Sequence, residues 1–295
     1  LRYVLAEFHG NGLTPRHFYS TYSGSEGLDL IARIYLSPGD EGIICNPTFR
    51  VYQVTAGWQN AKIVDVPLDP EHFTLRVDDI LAAVNDRTRL IYLGNPNNPT
   101  GTIITHDEME RLYAALPEEV MIVSDEVYYQ FVRNPAYPDS LAAVMADRKV
   151  LVLHSFSKAY GLAGLRIGIV IAQPDIISRL GHLRRTFHLG TLEMEAAIAA
   201  IGDQDHINKS VDLAWSGKQW LYDQFDRLGL NTWPSEANFI LFRTAIPSDE
   251  VADRLSQEGI LVGPGTRFGI PDCIRVSVGL PEANEAFIKA LEKVI

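Results

Sequence analysis

Short apolar runs without polar alternation recur along the first two thirds of the chain, separated by longer amphipathic stretches. The runs Gly42–Asn46, Lys62–Val66, Arg89–Leu93, Val120–Ser124, Val150–His154 and Ile167–Ala172 are rich in Val and Ile. Strands covered on both faces read this way, because neither face meets water. Helical periodicity fills the gaps, at Glu26–Tyr35, Arg50–Ala56, Val77–Val84, Asp107–Ala115, Leu141–Met145 and Asp175–Leu183. Strand and helix in alternation imply an α/β fold, a mainly parallel sheet with helices on both faces. After about Arg185 the rhythm changes. Long helices at Glu193–Ile201 and Ile207–Leu228 precede a strand (Asn238–Arg243), a helix (Ser248–Gln257), a strand (Ile274–Val278) and a last helix (Glu282–Val294). That pattern reads as a smaller α+β unit. The expected division is a large domain over 1–188 and a small C-terminal domain over 189–295.

Composition narrows the function classes. The 295 residues are 46% hydrophobic, enough to bury a sizeable core. A formal net charge of −11 argues against nucleic acid and anionic membrane as partners. No run reaches the ~18 apolar residues of a membrane span, and no signal peptide opens the chain. Cys45 and Cys273 lie far apart, with neither CxxC nor zinc spacing. They read as inert core thiols in a reducing compartment, with no metal expected and the cytoplasm as the expected location. The chain starts at Leu1, in helix-like sequence and without an initiator Met, so it reads as a truncated or processed form.

Three segments stand where strands end. Asn95-Pro96-Asn97-Asn98-Pro99-Thr100-Gly101 follows one apolar run, Asp125-Glu126-Val127-Tyr128 the next, and Ser155-Phe156-Ser157-Lys158 the third. Singly, each has an ordinary reading: a rigid turn, an N-cap with a packed tyrosine, a surface lysine. Together they sit at the carboxyl ends of successive strands, where open α/β sheets bind ligands. They converge an amide, a carboxylate with a phenol, and a lysine flanked by hydroxyls, with Arg166 eight residues on. A pyridoxal phosphate site needs that set. The Lys158 amine forms the Schiff base. Asp125 pairs with the pyridine nitrogen and keeps it protonated, while Asn98 and Tyr128 bond the ring oxygen. Ser155, Ser157 and Arg166 suit the phosphate.

NPNNPTG, SDEVYYQF and HSFSKAYGLAGLRIG strongly resemble the class I/II aminotransferases of fold type I, and the spacing resembles their histidinol-phosphate aminotransferase branch. The resemblance covers the whole chain. It implies a seven-stranded, mainly parallel sheet plus a small α+β domain, pyridoxal 5′-phosphate as cofactor, an amino donor and a 2-oxo acid such as 2-oxoglutarate as substrates, and a homodimer. It also assigns roles to residues that are weak signals alone. Gly24 and Ser25, in a turn before a helix, would give backbone N–H groups to the cofactor phosphate. Phe49, in Pro47-Thr48-Phe49, would stack on the ring, although core packing explains it equally well. Arg275, inside an apolar strand, would fork onto the substrate carboxylate, with Asn238 on the same side.

The sequence departs from the branch at Gly263, where histidinol-phosphate aminotransferases usually carry an arginine for the substrate phosphate; Arg267 and Arg184 are the candidate replacements. It also lacks the N-terminal stretch that the family folds over the site. Two rivals stay open: another pyridoxal phosphate reaction on this scaffold (decarboxylase, lyase or oxidase), and a non-catalytic protein of the same fold.

Overall fold

The computed structural model describes residues 1–183 and 188–295. Seven strands form the main sheet: β1 (Phe18–Tyr22), β2 (Glu41–Ile44), β3 (Lys62–Asp65), β4 (Thr88–Gly94), β5 (Met121–Asp125), β6 (Val150–Ser155) and β7 (Ile167–Ile171). Their spatial order is β1-β7-β6-β5-β4-β2-β3. The pairs from β3 to β6 are parallel, and β7 runs antiparallel to both β6 and β1.

Burial explains the composition of the central strands. Every residue of β5, β6 and β7 is buried, as a sheet with helices on both faces requires. One core cluster packs Ile91, Ile122 and Val152 on one face; another packs Leu90, Val123 and Leu151 on the other. Alternate residues of the same strands thus feed both cores. Edge strand β3 is only partly buried.

Strand β1 is absent from the sequence-based expectations. Its residues Phe18-Tyr19-Ser20-Thr21-Tyr22 carry two hydroxyls and two phenols, so no apolar run marks it. The helix expected from Glu26 begins at Gly24, so Gly24 and Ser25 form its first turn rather than a turn before it.

The C-terminal unit holds an antiparallel three-stranded sheet, β8 (Phe239–Arg243), β9 (Gly263–Pro264) and β10 (Cys273–Ser277), in the order β8-β10-β9. Helices Gln204–Arg227, Ser248–Gln257 and Pro281–Val294 cover it, and its core includes Phe225, Phe242 and Leu291. Cys45 and Cys273 are free and buried, and burial pushes both thiols up to about 12. Among the described residues no helix is long and apolar enough to cross a membrane.

Candidate active site

Strands β4, β5 and β6 are neighbours and parallel, so their carboxyl ends lie on one edge of the sheet. The three segments singled out in the sequence meet there. One cleft takes Asn98 from the first, Asp125 and Tyr128 from the second, and Ser155, Ser157 and Lys158 from the third. The Nζ of Lys158 stands 4.9 Å from the centre of the Tyr128 ring.

Asp125 is the last residue of β5 and is almost fully buried. Its carboxylate accepts a hydrogen bond from the Tyr52 hydroxyl at 2.9 Å and a long one from the Val127 N–H at 3.4 Å. Burial pushes its pKa up to about 6, with the Tyr52 hydrogen bond and the Lys158 charge opposing that rise. Sequence reasoning missed Tyr52. It lies one helical turn beyond Phe49, and that spacing was the available signal. The two rings meet edge to face at 5.7 Å, and both line the cleft.

The same cleft is also lined by Gly24, Ser25 and Arg166. The first N–H groups of a helix lack intrahelical partners and favour an anion. The turn into this helix carries Ser23 at φ 82°, and the Thr21 hydroxyl donates to the Ser23 carbonyl at 2.8 Å. Gly168 on β7 makes the turn possible, because a Cβ there would fall 2.5 Å from the Ser23 carbonyl carbon. Arg166 is left-handed at φ 56°, a conformation that costs a non-glycine residue roughly 1 kcal/mol or more.

Only one of the three asparagines in the turn after β4 faces the cleft. Asn95 is tied to Ile104 by its amide, and Asn97 bonds the Pro47 carbonyl and the Thr48 hydroxyl. Asn97 therefore braces the segment that presents Phe49. The Asn98 amide oxygen accepts a hydrogen bond from Arg275 Nη1 at 2.6 Å. Arg275 pairs with no carboxylate among the described residues, and its Nε is buried without a partner. Its guanidinium lies over Phe239 and Phe268, at 5.0 and 5.7 Å from the ring centres. A half-buried guanidinium held in place without a counter-charge is poised for an anionic ligand.

Three expected residues are not among those lining this cleft: Arg275, which joins it only through its bond to Asn98, and Asn238 and Arg267. Asn238 is not among its lining residues, since it leads directly into β8 and its carbonyl accepts from Val278 N–H at 2.9 Å. Arg267 lines an adjoining cleft with Phe49 and Arg50. Arg184 lies outside the described residues.

The family model for aminotransferases of class I and II matches residues 1–291. The chain belongs to the class I and II aminotransferases. This aminotransferase is 40% identical over 271 residues to the histidinol-phosphate aminotransferase of Moorella thermoacetica, a match covering 92% of this chain and 70% of that protein. It is 36% identical over 296 residues to the histidinol-phosphate aminotransferase of Brevibacillus brevis, covering 100% of this chain and 80% of the relative. Its fold is similar to that of the Sinorhizobium meliloti histidinol-phosphate aminotransferase in complex with pyridoxal 5′-phosphate, with a TM-score of 0.91, 26% identity and coverage of 99% and 80% of the two chains.

The aminotransferase depends on pyridoxal 5′-phosphate, and the donor set fits that group. A helix N-terminus, Ser25, Ser155, Ser157 and Arg166 suit a phosphate. A buried carboxylate bonded only to a neutral phenol and a backbone N–H suits a protonated ring nitrogen.

Proposed function

We propose that this aminotransferase moves an amino group between an amino donor and a 2-oxo acid such as 2-oxoglutarate, with Lys158 as the residue that carries the proton. The observation that carries the reading is the meeting of Lys158, buried Asp125 and Asn98 in one cleft, with counter-charge-free Arg275 bonded to Asn98 beside it. When bound, the cofactor supplies a ring that withdraws electrons from the substrate α-carbon. The Lys158 amine would anchor the cofactor; once the substrate amine takes its place, the freed amine would take the proton from the substrate α-carbon and deliver it to the cofactor carbon on the other side of the bridging nitrogen. Asp125 holds a proton on the ring nitrogen, and the Tyr52 hydroxyl holds the Asp125 carboxylate in place. Asn98 and Tyr128 would bond the ring oxygen, Phe49 would cover the ring, and Gly24, Ser25, Ser155, Ser157 and Arg166, which line the same cleft, would hold the phosphate. Arg275, braced by Asn98, takes the substrate anion. We further infer a homodimer in the cytoplasm, with a cofactor domain over 1–188 and a small domain over 189–295.

The relatives' names favour histidinol phosphate as amino donor. Gly263 supports a second reading, a broader amino-acid specificity. It pairs with Arg275 in the β9–β10 register, and no side chain at that position adds a second cation for a phosphate. Initial rates with histidinol phosphate and with aromatic, basic and aliphatic amino acids separate the two. Comparable kcat/KM across the panel is the result expected from Gly263. A preference for histidinol phosphate above about a hundredfold, the size of a strong binding discrimination, rejects the broad reading.

The role of Arg275 has its own test. Breaking a desolvated charge pair costs ~2–5 kcal/mol, so Arg275→Ala is expected to raise the KM for 2-oxoglutarate by roughly thirtyfold or more. The absorption spectrum of the bound cofactor should stay as in wild type. An unchanged acceptor KM removes Arg275 from the substrate site.

A further inference from the structure

The C-terminal unit buries a lysine that the chemistry above does not use. Lys218, on helix Gln204–Arg227, has no solvent exposure. No carboxylate among the described residues pairs with it, and burial pulls its ammonium down to about 8. Its Nζ lies 3.6 Å from the centre of the Trp215 ring and donates a hydrogen bond to the Ser235 carbonyl. Trp215 is itself fixed, since its indole N–H donates to the Phe131 carbonyl at 2.7 Å and Arg133 covers its ring at 5.1 Å. An apolar side chain of similar length would fill this space without the cost of burying a charge. The contribution of the ammonium therefore lies in what it holds.

Ser235 begins the stretch 235–238, by which the C-terminal unit crosses the turn that carries Asn98. The Glu236 N–H donates to the Gly101 carbonyl at 2.8 Å, and the Glu236 carboxylate accepts from the Arg133 N–H at 2.7 Å. Ser235 presses against Gly101, where a Cβ would fall 2.2 Å from the Ser235 hydroxyl. The Ala237 N–H donates to that hydroxyl at 3.1 Å. The crossing then enters β8 at Phe239, whose ring supports the Arg275 guanidinium and meets Tyr128 edge to face at 5.2 Å. From the other side, the turn ending at Gly101 presents the Asn98 amide that bonds Arg275.

We propose that Lys218 is a positioning residue for substrate binding: by holding the Ser235 carbonyl it seats the 235–238 crossing on the Gly101 turn, and so sets Arg275 between Asn98 and Phe239. The inference rests on the reading of Arg275 as the residue that takes the substrate anion. Lys218 touches neither substrate nor cofactor. Its loss disturbs the placement of a binding group and leaves the proton-transfer groups where they are.

The test uses the cofactor-loaded enzyme with 2-oxoglutarate as acceptor. Lys218→Met is expected to raise the acceptor KM about tenfold, within the range of couplings carried through packed networks. The kcat should stay within about twofold by the same reasoning, and the cofactor spectrum should be unchanged. The Tm should not fall, because a buried charge has been removed. Lys218→Gln, whose amide can donate to the Ser235 carbonyl, should recover most of the lost affinity. A wild-type KM in Lys218→Met overturns the proposal, as does a fall in Tm and kcat with KM unmoved. If Lys218→Met does not fold, Lys218→Leu, which also removes the donor to the Ser235 carbonyl, takes its place, and a wild-type KM there overturns the proposal equally. Arg275→Ala serves as the reference. If it raises the KM and the Lys218 variants do not, the positioning role alone fails. If it leaves the KM unmoved, the reading of Arg275 fails and the positioning role falls with it.

Discussion

Lys158→Ala is expected to lower turnover by roughly 10⁴-fold, the upper range for removing a positioned proton-transfer group, while leaving the protein folded. The structure separates these effects. Lys158 stands in an open cleft over the Tyr128 ring, and no carboxylate among the described residues pairs with it. Truncation removes a charge that favours the ionised Asp125 but neither of its hydrogen bonds, so the Tm should fall only slightly. Borohydride reduction of the wild-type enzyme should make the attachment of the cofactor permanent, and peptide mapping should find the added mass on Lys158. The alanine variant should take no label. A label on another lysine, or near-normal turnover in Lys158→Ala, would falsify the assignment.

Legibility in the sequence followed burial. Strands β4 to β7 were visible because each is covered on both faces and admits few polar residues. Strand β1 was not, because it lies at the edge of the sheet and carries Ser20, Thr21 and Tyr22. The three strand-end segments could be placed at one edge because parallel neighbours put their carboxyl ends together. Tyr52 escaped notice for a different reason. A tyrosine on an apolar helix face reads as core, and it is core, with its ring stacked on Tyr92 at 5.3 Å. Only its hydroxyl, aimed at Asp125, ties it to the site. Lys218 escaped for the same kind of reason. Its partners Trp215 and Ser235 lie 3 and 17 residues away in the chain, and the contact that matters is to a backbone carbonyl, which no side-chain pattern reports. Asn238, expected on the substrate side from the resemblance, leads into β8 and is not among the residues lining the cleft.

Asp125→Asn is expected to separate stability from activity. In the cofactor-free protein, burial raises the Asp125 pKa from 3.8 to about 6. Between those values the folded state holds a proton that the unfolded chain has released, so folding is favoured at low pH and loses ground as pH rises. The contribution is fully present below about pH 4 and gone above about pH 6, and the shift corresponds to about 3 kcal/mol. Asparagine fills the same space without titrating. The unfolding free energy of wild type minus that of Asp125→Asn, measured by urea denaturation of the cofactor-free proteins, should therefore fall by about 3 kcal/mol from pH 4 to pH 7. Taking the difference removes carboxylates with the opposite sense, such as Glu41, whose pKa is lowered first by its hydrogen bond from Asn85. In the loaded enzyme the protonated ring nitrogen supplies the missing cation, so the wild type should lose this pH dependence. Turnover should move the other way. Losing one partner of a buried ion pair costs ~3–5 kcal/mol, so Asp125→Asn should turn over roughly 10²–10⁴-fold more slowly although it is the more stable apoprotein at neutral pH. Parallel pH curves for the two apoproteins would show that Asp125 is not held against its burial, and near-wild-type turnover would remove it from the ring nitrogen.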